Sequence, residues 1–329
     1  MSKDNLKKIL FPLLGIVLLI WAYTKIDMNK LLVTLADANY LWVGLAFLAG
    51  VLSHFIRAVR WKMLVDSMNY NVRVRTGFYA VMSGYLVNIV TPRLGEVARC
   101  AMFHESDDVP MDKLIGTVVT ERIVDLIVMI LITLAVIWFQ MDLIGSFVRD
   151  LFVQNDGSGQ VIKLVAISGI ALAMLLIYLV VRKIRAPGNQ PLWLKKALEF
   201  ANGLFVGAKS IFSVKRPVLF IIYTLAIWFM YFIMTYVVFF ALGQTSHLGV
   251  DAALTTLIMG TIAVIIPAPG GFGSFHYFVP LGLQLFSVDL ETGTAYATLS
   301  HTTQMVMIAL VGGLSMILAG RERKKRASA

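Results

Sequence analysis

Apolar residues in this chain run in blocks of about 20, the length a helix needs to cross the hydrocarbon core of a bilayer, and polar residues collect between the blocks. Uninterrupted blocks lie at 8–24, 40–64, 114–139, 160–182, 216–242 and 293–319 and predict six full membrane spans. Two further apolar stretches, 75–100 and 251–286, are each broken. In the second, TIAVIIPAPGGFGSFH from Thr261 to His276, the residues Pro267, Pro269, Gly270, Gly271 and Gly273 interrupt a membrane-like run that then resumes. The first break falls within SGYLVNIVTPRLGEVAR, Ser83 to Arg99. Unpaired backbone is tolerated at bilayer depth only where it is buried in protein or lines a polar cavity, so each break predicts a site. Each is either a single crossing or a re-entrant hairpin.

Charge separates those alternatives. If both broken stretches enter and leave on one side, with the N-terminus in the cytoplasm, then all but Lys25, Lys30, Arg149 and Lys163 of the 29 lysines and arginines fall inside, motif arginines included. The outer loops then hold Asp142, Asp150, Asp156, Asp289 and Glu291. This is the bias that orients membrane proteins, and a single crossing at either break would spoil it. The expected fold is therefore an all-α polytopic bundle, one transmembrane domain over 1–329, with six spans and two broken hairpins. Each half, 1–145 and 155–320, has three crossings, so the halves insert in opposite orientations as an inverted repeat, an architecture many secondary transporters use. A basic cytoplasmic tail, 321–329, follows as a disordered, lipid-facing anchor.

Composition agrees: 58% hydrophobic and 15% charged residues exclude a soluble domain. The net charge of +10 suggests nucleic acid at first, but the basic residues flank apolar spans, which fits orientation and contact with anionic headgroups. Cys100 is the single cysteine, so neither an internal disulfide nor a thiolate metal site is available. Lys3, Lys7 and Lys8 before the first block resemble a signal peptide, yet no cleavage site of the small-residue type follows, and the block reads as a span. Met28 to Asp37 and Pro191 to Phe212 are amphipathic and read equally as interfacial helices or as connectors packed on the bundle. Gln154 to Gln160 reads as a solvated loop.

Candidate chemistry gathers at the breaks. Thr91 is placed to cap a helix with Pro92 in its first turn, and Arg93, Glu96 and Arg99 then recur at steps of three on one face. Ionisable groups at bilayer depth cost about 3 kcal/mol or more each and usually face a cavity or pair together. A structural ion-pair network at the cytoplasmic surface is the plainer alternative. Glu121 and Asp125 share a face of the next span, with Arg122 offset, and are placed to complete the cluster or to form a helix-end salt bridge. In the second break, Gly270, Gly271 and Gly273 allow backbone N–H groups to approach a ligand, and Ser274 is placed to cap the following helix, whose positive end suits a lipid phosphate. Close helix packing is the alternative use of such glycines. His276, in the first turn of that helix, reads equally as a binding or proton-relay group and as a packing residue. Secondary candidates are Arg57, as a phosphate partner, and His301 with Gln304 on one face of the last span. His54, Arg57, Arg60 and Trp61 line a turn and a half of the second span, a combination most often found as an interface anchor. No HExxH, GxSxG or P-loop motif is present and the five histidines lack metal-ligand spacing, so neither catalytic residues, nor a metal, nor a cofactor is expected.

Taken in order, Asn88-x-x-x-Pro92-Arg93-Leu94-Gly95-Glu96-x-x-Arg99, then Glu121-Arg122-x-x-Asp125, then Pro267-x-Pro269-Gly270-Gly271-Phe272-Gly273 resemble the lysylphosphatidylglycerol synthase transmembrane region, or flippase-like, family. The resemblance covers nearly the whole chain and is specific as a set. It implies a polytopic inner-membrane protein whose relatives are linked to moving or binding lipid headgroups. Two departures matter. Members often carry an acid where this chain has His276, which counts against a shared proton or cation role there. The aminoacyl-transfer domain of the namesake enzymes is not expected after Gly320, so neither is lysyl transfer.

Two functional classes follow. One is a flippase-like transporter moving anionic phospholipid or a lipid-linked headgroup by alternating access, in a bacterial-type inner membrane, with both termini cytoplasmic and an oligomer possible. The other is a non-transporting lipid-binding or scaffold subunit of an envelope-synthesis system. A third, less favoured, is an intramembrane transferase using His276 or His301 as base.

Overall fold

The computed structural model describes residues 16–17, 19–20, 23–24, 26–91, 94–141, 214–265 and 268–327. Among them the chain forms nine α-helices: α1 Met28–Ala36, α2 Tyr40–Ser67, α3 Val74–Val90, α4 Gly95–Asp107, α5 Met111–Phe139, α6 Pro217–Phe239, α7 Val250–Ile265, α8 Ser274–Gln284 and α9 Leu290–Ala327. A 3-10 turn, Pro269–Gly271, joins α7 to α8. Helices α2, α5, α6 and α9 are each long and apolar enough to cross a bilayer, as the blocks at 40–64, 114–139, 216–242 and 293–319 predict. The protein is thus a multi-pass helical membrane protein. The expected span at 160–182, most of that at 8–24, the segment 191–212 and the loop 154–160 lie outside the described residues.

Both broken stretches are helix–turn–helix pairs. Their helices have 17, 13, 16 and 11 residues, and at 1.5 Å per residue even the longest rises only about 25 Å, short of a bilayer core of about 30 Å. The first pair breaks at Thr91, whose extended φ of −130° and ψ of 98° are what a following proline imposes. Thr91 closes α3 rather than capping α4, contrary to the sequence expectation, and α4 starts at Gly95 with no side-chain cap. Asn88 supplies the missing acceptor: its Oδ1 takes the Gly95 N–H at 2.8 Å. This is possible because α3 and α4 touch backbone to backbone. A Cβ on Gly84 would sit 2.7 Å from the Gly95 carbonyl oxygen, and one on Gly95 would run into the Gly84 carbonyl and the Asn88 side chain. Without a hydrophobic drive between helices in lipid, such small-residue contacts hold membrane helices together.

The second pair turns through Gly270, Gly271 and Gly273 at φ of 58°, 77° and 80°, a region L side chains rarely adopt. Here the glycines are required by the turn itself. Ser274 does not cap α8: it is the first residue of that helix, and its hydroxyl donates back to the Gly271 carbonyl at 3.1 Å.

Contacts fix where the pairs begin and end. The start of α3 and the end of α4 both meet the end of α9, where Arg75 pairs with Glu322 at 3.0 Å and Arg323 with Glu105 at 2.5 Å. The start of α7 lies instead beside the end of α5, where Gln140 Nε2 donates to the Asp251 carbonyl at 3.0 Å. Val288, just past α8, joins Leu242, just past α6, and Leu31 of α1 in one apolar cluster. The glycine turn between α7 and α8 rests against α3.

Two smaller differences concern the ends. Helix α1 carries the amphipathic Met28–Ala36 stretch, capped by Asp27, whose carboxylate accepts from the Asn29 and Lys30 N–H groups, and it buries Leu31 against the bundle. The basic tail is not a disordered anchor through Ala327: α9 simply continues, and Glu322 and Arg323 are engaged in ion pairs. Along α5, Leu131, Leu134, Ile137, Trp138 and Phe139 are exposed, a surface suited to acyl chains and costly in water.

Candidate functional site

Two arginines one turn apart, Arg57 and Arg60, sit on the inner face of α2, both buried. Helix α5 offers them Glu121 and Asp125, also one turn apart. Asp125 divides its carboxylate, one oxygen 2.8 Å from Arg57 and the other 2.8 Å from Arg60. Glu121, fully buried, lies 3.3 Å from Arg60 and 2.7 Å from Arg99 of α4. The result is a continuous chain from Arg57 through Asp125, Arg60 and Glu121 to Arg99, spanning three helices. Desolvating charges is expensive, and only such shared, well-aligned pairing offsets it.

Neighbouring groups complete the network. Arg57 donates to the Tyr231 hydroxyl at 3.0 Å and Arg60 to Thr224 at 3.1 Å, both on α6. The Arg99 guanidinium lies 4.5 Å over the Trp61 ring, whose N–H donates to Thr117 at 2.8 Å. Beside the chain, Arg122 pairs with Glu96 at 2.8 Å in a more open position. Four arginines thus face three carboxylates, leaving one positive charge in excess. Donors also outnumber acceptors: the Nε groups of Arg57, Arg60 and Arg99 have no partner among the described residues.

A cavity of about 450 Å³ opens between this network and the second hairpin, a volume typical of small-ligand sites. Arg57, Glu96, Arg122 and Asp125 form its charged wall, with Tyr85 and Tyr231 between them. The rest is largely apolar, including Leu126 and Met129 of α5, Leu257 and Val264 of α7, and Met307 of α9. Helices of both broken pairs contribute, Tyr85 and Glu96 from the first and Thr256 to Ile265 with Phe275 from the second. The arrangement is amphipathic, with a charged, arginine-bearing end and a greasy body.

The sequence candidates distribute unevenly around it. Arg57, Glu96, Arg122, Asp125 and Gln304 line the cavity, while Arg99 and Glu121 stand behind its charged wall. Asn88 is occupied by the hairpin contact with Gly95. Arg93 lies outside the described residues. Gly270, Gly271, Gly273 and Ser274 are not on the cavity wall. Their turn is filled from α9, where His301 Nε2 meets the Gly270 carbonyl oxygen at 2.9 Å. His276 is buried beside it, its ring 5.0 Å from that of His301 and 5.7 Å from that of Tyr23. The two histidines therefore pack the second turn against α9, away from the arginines.

Sequence reasoning missed Arg60 as a site residue and treated Trp61 as an interface anchor, whereas both are fully buried at the centre of the network. The available signal was two arginines a turn apart inside an apolar span, which demand internal partners. Tyr231 and Thr224 had no such signal, since nothing sets them apart from Tyr223, Thr235 and Tyr236 on the same apolar helix until the facing helix is known.

Comparison with known proteins agrees with this architecture. The chain is 24% identical over 329 residues to a UPF0104 membrane protein of Methanocaldococcus jannaschii, covering 94% of each chain. No solved structure matches. The model of the lysylphosphatidylglycerol synthase TM region matches residues 9–312, nearly the whole length, and the chain therefore belongs to that membrane family.

Proposed function

We propose that the central cavity receives the phosphate-bearing headgroup of an anionic phospholipid or lipid-linked molecule, and that the protein moves it between leaflets by alternating access. The observation that carries this reading is the pair of arginines, Arg57 and Arg122, set in the charged wall at one end of an otherwise apolar cavity, with the network's one excess positive charge just behind them. Arginine forks match phosphate oxygens, and the apolar body suits the carbons that follow a headgroup. Walls drawn from both hairpins supply a means of movement, because a shift of either pair reshapes the site.

The inverted arrangement of halves 1–145 and 155–320 is part of the proposal. It is supported by the first pair having both ends near the end of α9 and the second pair starting near the end of α5. The proposal also has both termini in the cytoplasm of an inner membrane, supported by the excess of lysine and arginine in the segments assigned to that side. A second reading, lipid binding without transport, draws on the Arg60–Glu121–Arg99 segment, which is buried behind the wall and joins three helices as a structural clasp.

Reconstitution into liposomes with a fluorescent-headgroup phospholipid separates the two. Transport by the wild type that falls at least tenfold in Arg122→Ala and Glu96→Gln supports movement. Wild-type protein that retains the lipid on purification yet moves none supports the binding role, and absence of both removes the proposal.

A further inference from the structure

Away from the central cavity, the end of α2, the following turn and the start of α6 enclose a groove of about 600 Å³. Its floor is apolar, formed by Val59, Met63, Val214 and Leu219, and its rim carries Lys62, Lys215 and Arg216 against the single acid Asp66. Lys62 is neutralised by Asp66 one helical turn on, at 2.5 Å. Lys215 reaches only the Asn69 side-chain oxygen, at 3.4 Å, and neither it nor Arg216 meets a carboxylate among the described residues. Two cations are therefore left facing solvent at the mouth of a greasy slot. The uncapped start of α6 beside them adds partial positive charge of the same sign.

Position says what fits. Residues 215 and 216 immediately precede the apolar helix α6, and Lys62 and Asp66 are the last charged groups of α2, so the groove lies where two spans leave the hydrocarbon. It shares no lining residue with the central cavity, and the buried Phe220 next to its Leu219 lies beneath the Arg60 guanidinium at 5.6 Å. We infer that this groove is a second, separate lipid site, gripping the phosphate of an anionic phospholipid with Lys215 and Arg216 while the Val59–Met63–Leu219 floor takes the upper part of one acyl chain. It does not depend on transport through the cavity. A lipid held there ties α2 to α6, the helices that carry Arg57, Arg60 and Tyr231.

Native mass spectrometry of the full chain in detergent, titrated with phosphatidylglycerol, tests it. The groove predicts one tight lipid that becomes about tenfold weaker in Lys215→Gln/Arg216→Gln, with the thermal midpoint of the lipid-free protein unchanged. Arg122→Ala, in the cavity, leaves that lipid in place whether or not the cavity binds lipid. Phosphatidylcholine and glycerol 3-phosphate each bind the wild type at least tenfold more weakly than phosphatidylglycerol. An equal loss in Lys30→Gln, on distant α1, makes the attraction general and overturns the site. Unchanged phosphatidylglycerol binding in the double variant overturns it directly, and glycerol 3-phosphate binding as tightly as the lipid overturns the role of the floor.

Discussion

Arg60 and Asp125, on two different membrane-spanning helices, meet at 2.8 Å with Arg60 wholly shielded from solvent. Through Asp125 the pair reaches Arg57, and through Glu121 it reaches Arg99, so α2, α4 and α5 are pinned at one level. Breaking such a network by removing one partner strands the charges left behind. Glu121→Ala, which strips Arg99 of its carboxylate and leaves Arg60 only Asp125 and Thr224, is expected to destabilise the fold by about 3–5 kcal/mol, read as a lowered thermal midpoint and reduced folded yield in detergent. Asp125→Asn keeps the shape but only one of the two acceptor contacts, because its amide nitrogen donates where an oxygen accepted, and is expected to lower the thermal midpoint as well.

The contact of Gly84 with Gly95 sets the geometry of the first hairpin, and Gly95 has no room for a methyl group. Gly95→Ala is expected to force α3 and α4 apart, break the Asn88 bond and abolish lipid transport or binding. Gly116→Ala, where nothing lies within 4 Å, serves as the control and is expected to behave as wild type. Size-exclusion profiles and lipid binding of the two variants check this.

Gln140 clasps the second hairpin to α5, donating to the Asp251 carbonyl at 3.0 Å and accepting from Thr255 at 2.8 Å. Each bond is worth about 1 kcal/mol net. Gln140→Leu is expected to loosen the start of α7 without unfolding the bundle. Hydrogen–deuterium exchange is expected to rise in residues 250–256 and to stay unchanged in α2.

Asp289 starts α9: its carboxylate accepts from the Thr292 N–H and the Thr292 hydroxyl, both at 2.8 Å. Burial pushes this carboxyl up, but the Thr292 bonds outweigh it and hold it below the usual carboxylate range. A depressed folded-state pKa gives stability that is present above the unfolded value and is lost as pH falls through the folded one. Asp289→Ala is expected to cost about 1 kcal/mol at neutral pH, a gap to the wild type that narrows as the pH drops below about 4. Thermal midpoints of both proteins across that range check the sign.

How far the chain could be read without coordinates depended on the kind of signal. Span length is a property of local hydropathy, so α2, α5, α6 and α9 lay open. Proline and glycine punctuate locally too, which located both turns. Caps were misread because they depend on where the chain goes next: Thr91 is turned into an extended conformation by Pro92, and Asn88 caps across the hairpin instead. The Glu121, Arg122 and Asp125 spacing showed which groups share a face, but not that Arg122 would turn to Glu96 while Glu121 and Asp125 turned to Arg60. Nothing local distinguishes glycines that form a turn from glycines that admit a ligand. That His301 meets the Gly270 carbonyl is visible only once the helices are packed.

Photo-crosslinking with an anionic phospholipid carrying a diazirine in its upper acyl chain, mapped by mass spectrometry on the full chain in liposomes, addresses the cavity most directly. The account predicts adducts on Met129, Leu257 and Met307, which line the cavity, and their loss in Arg122→Ala. Adducts confined to Leu131, Leu134 and Trp138 on the outer face of α5, with none inside, would contradict it.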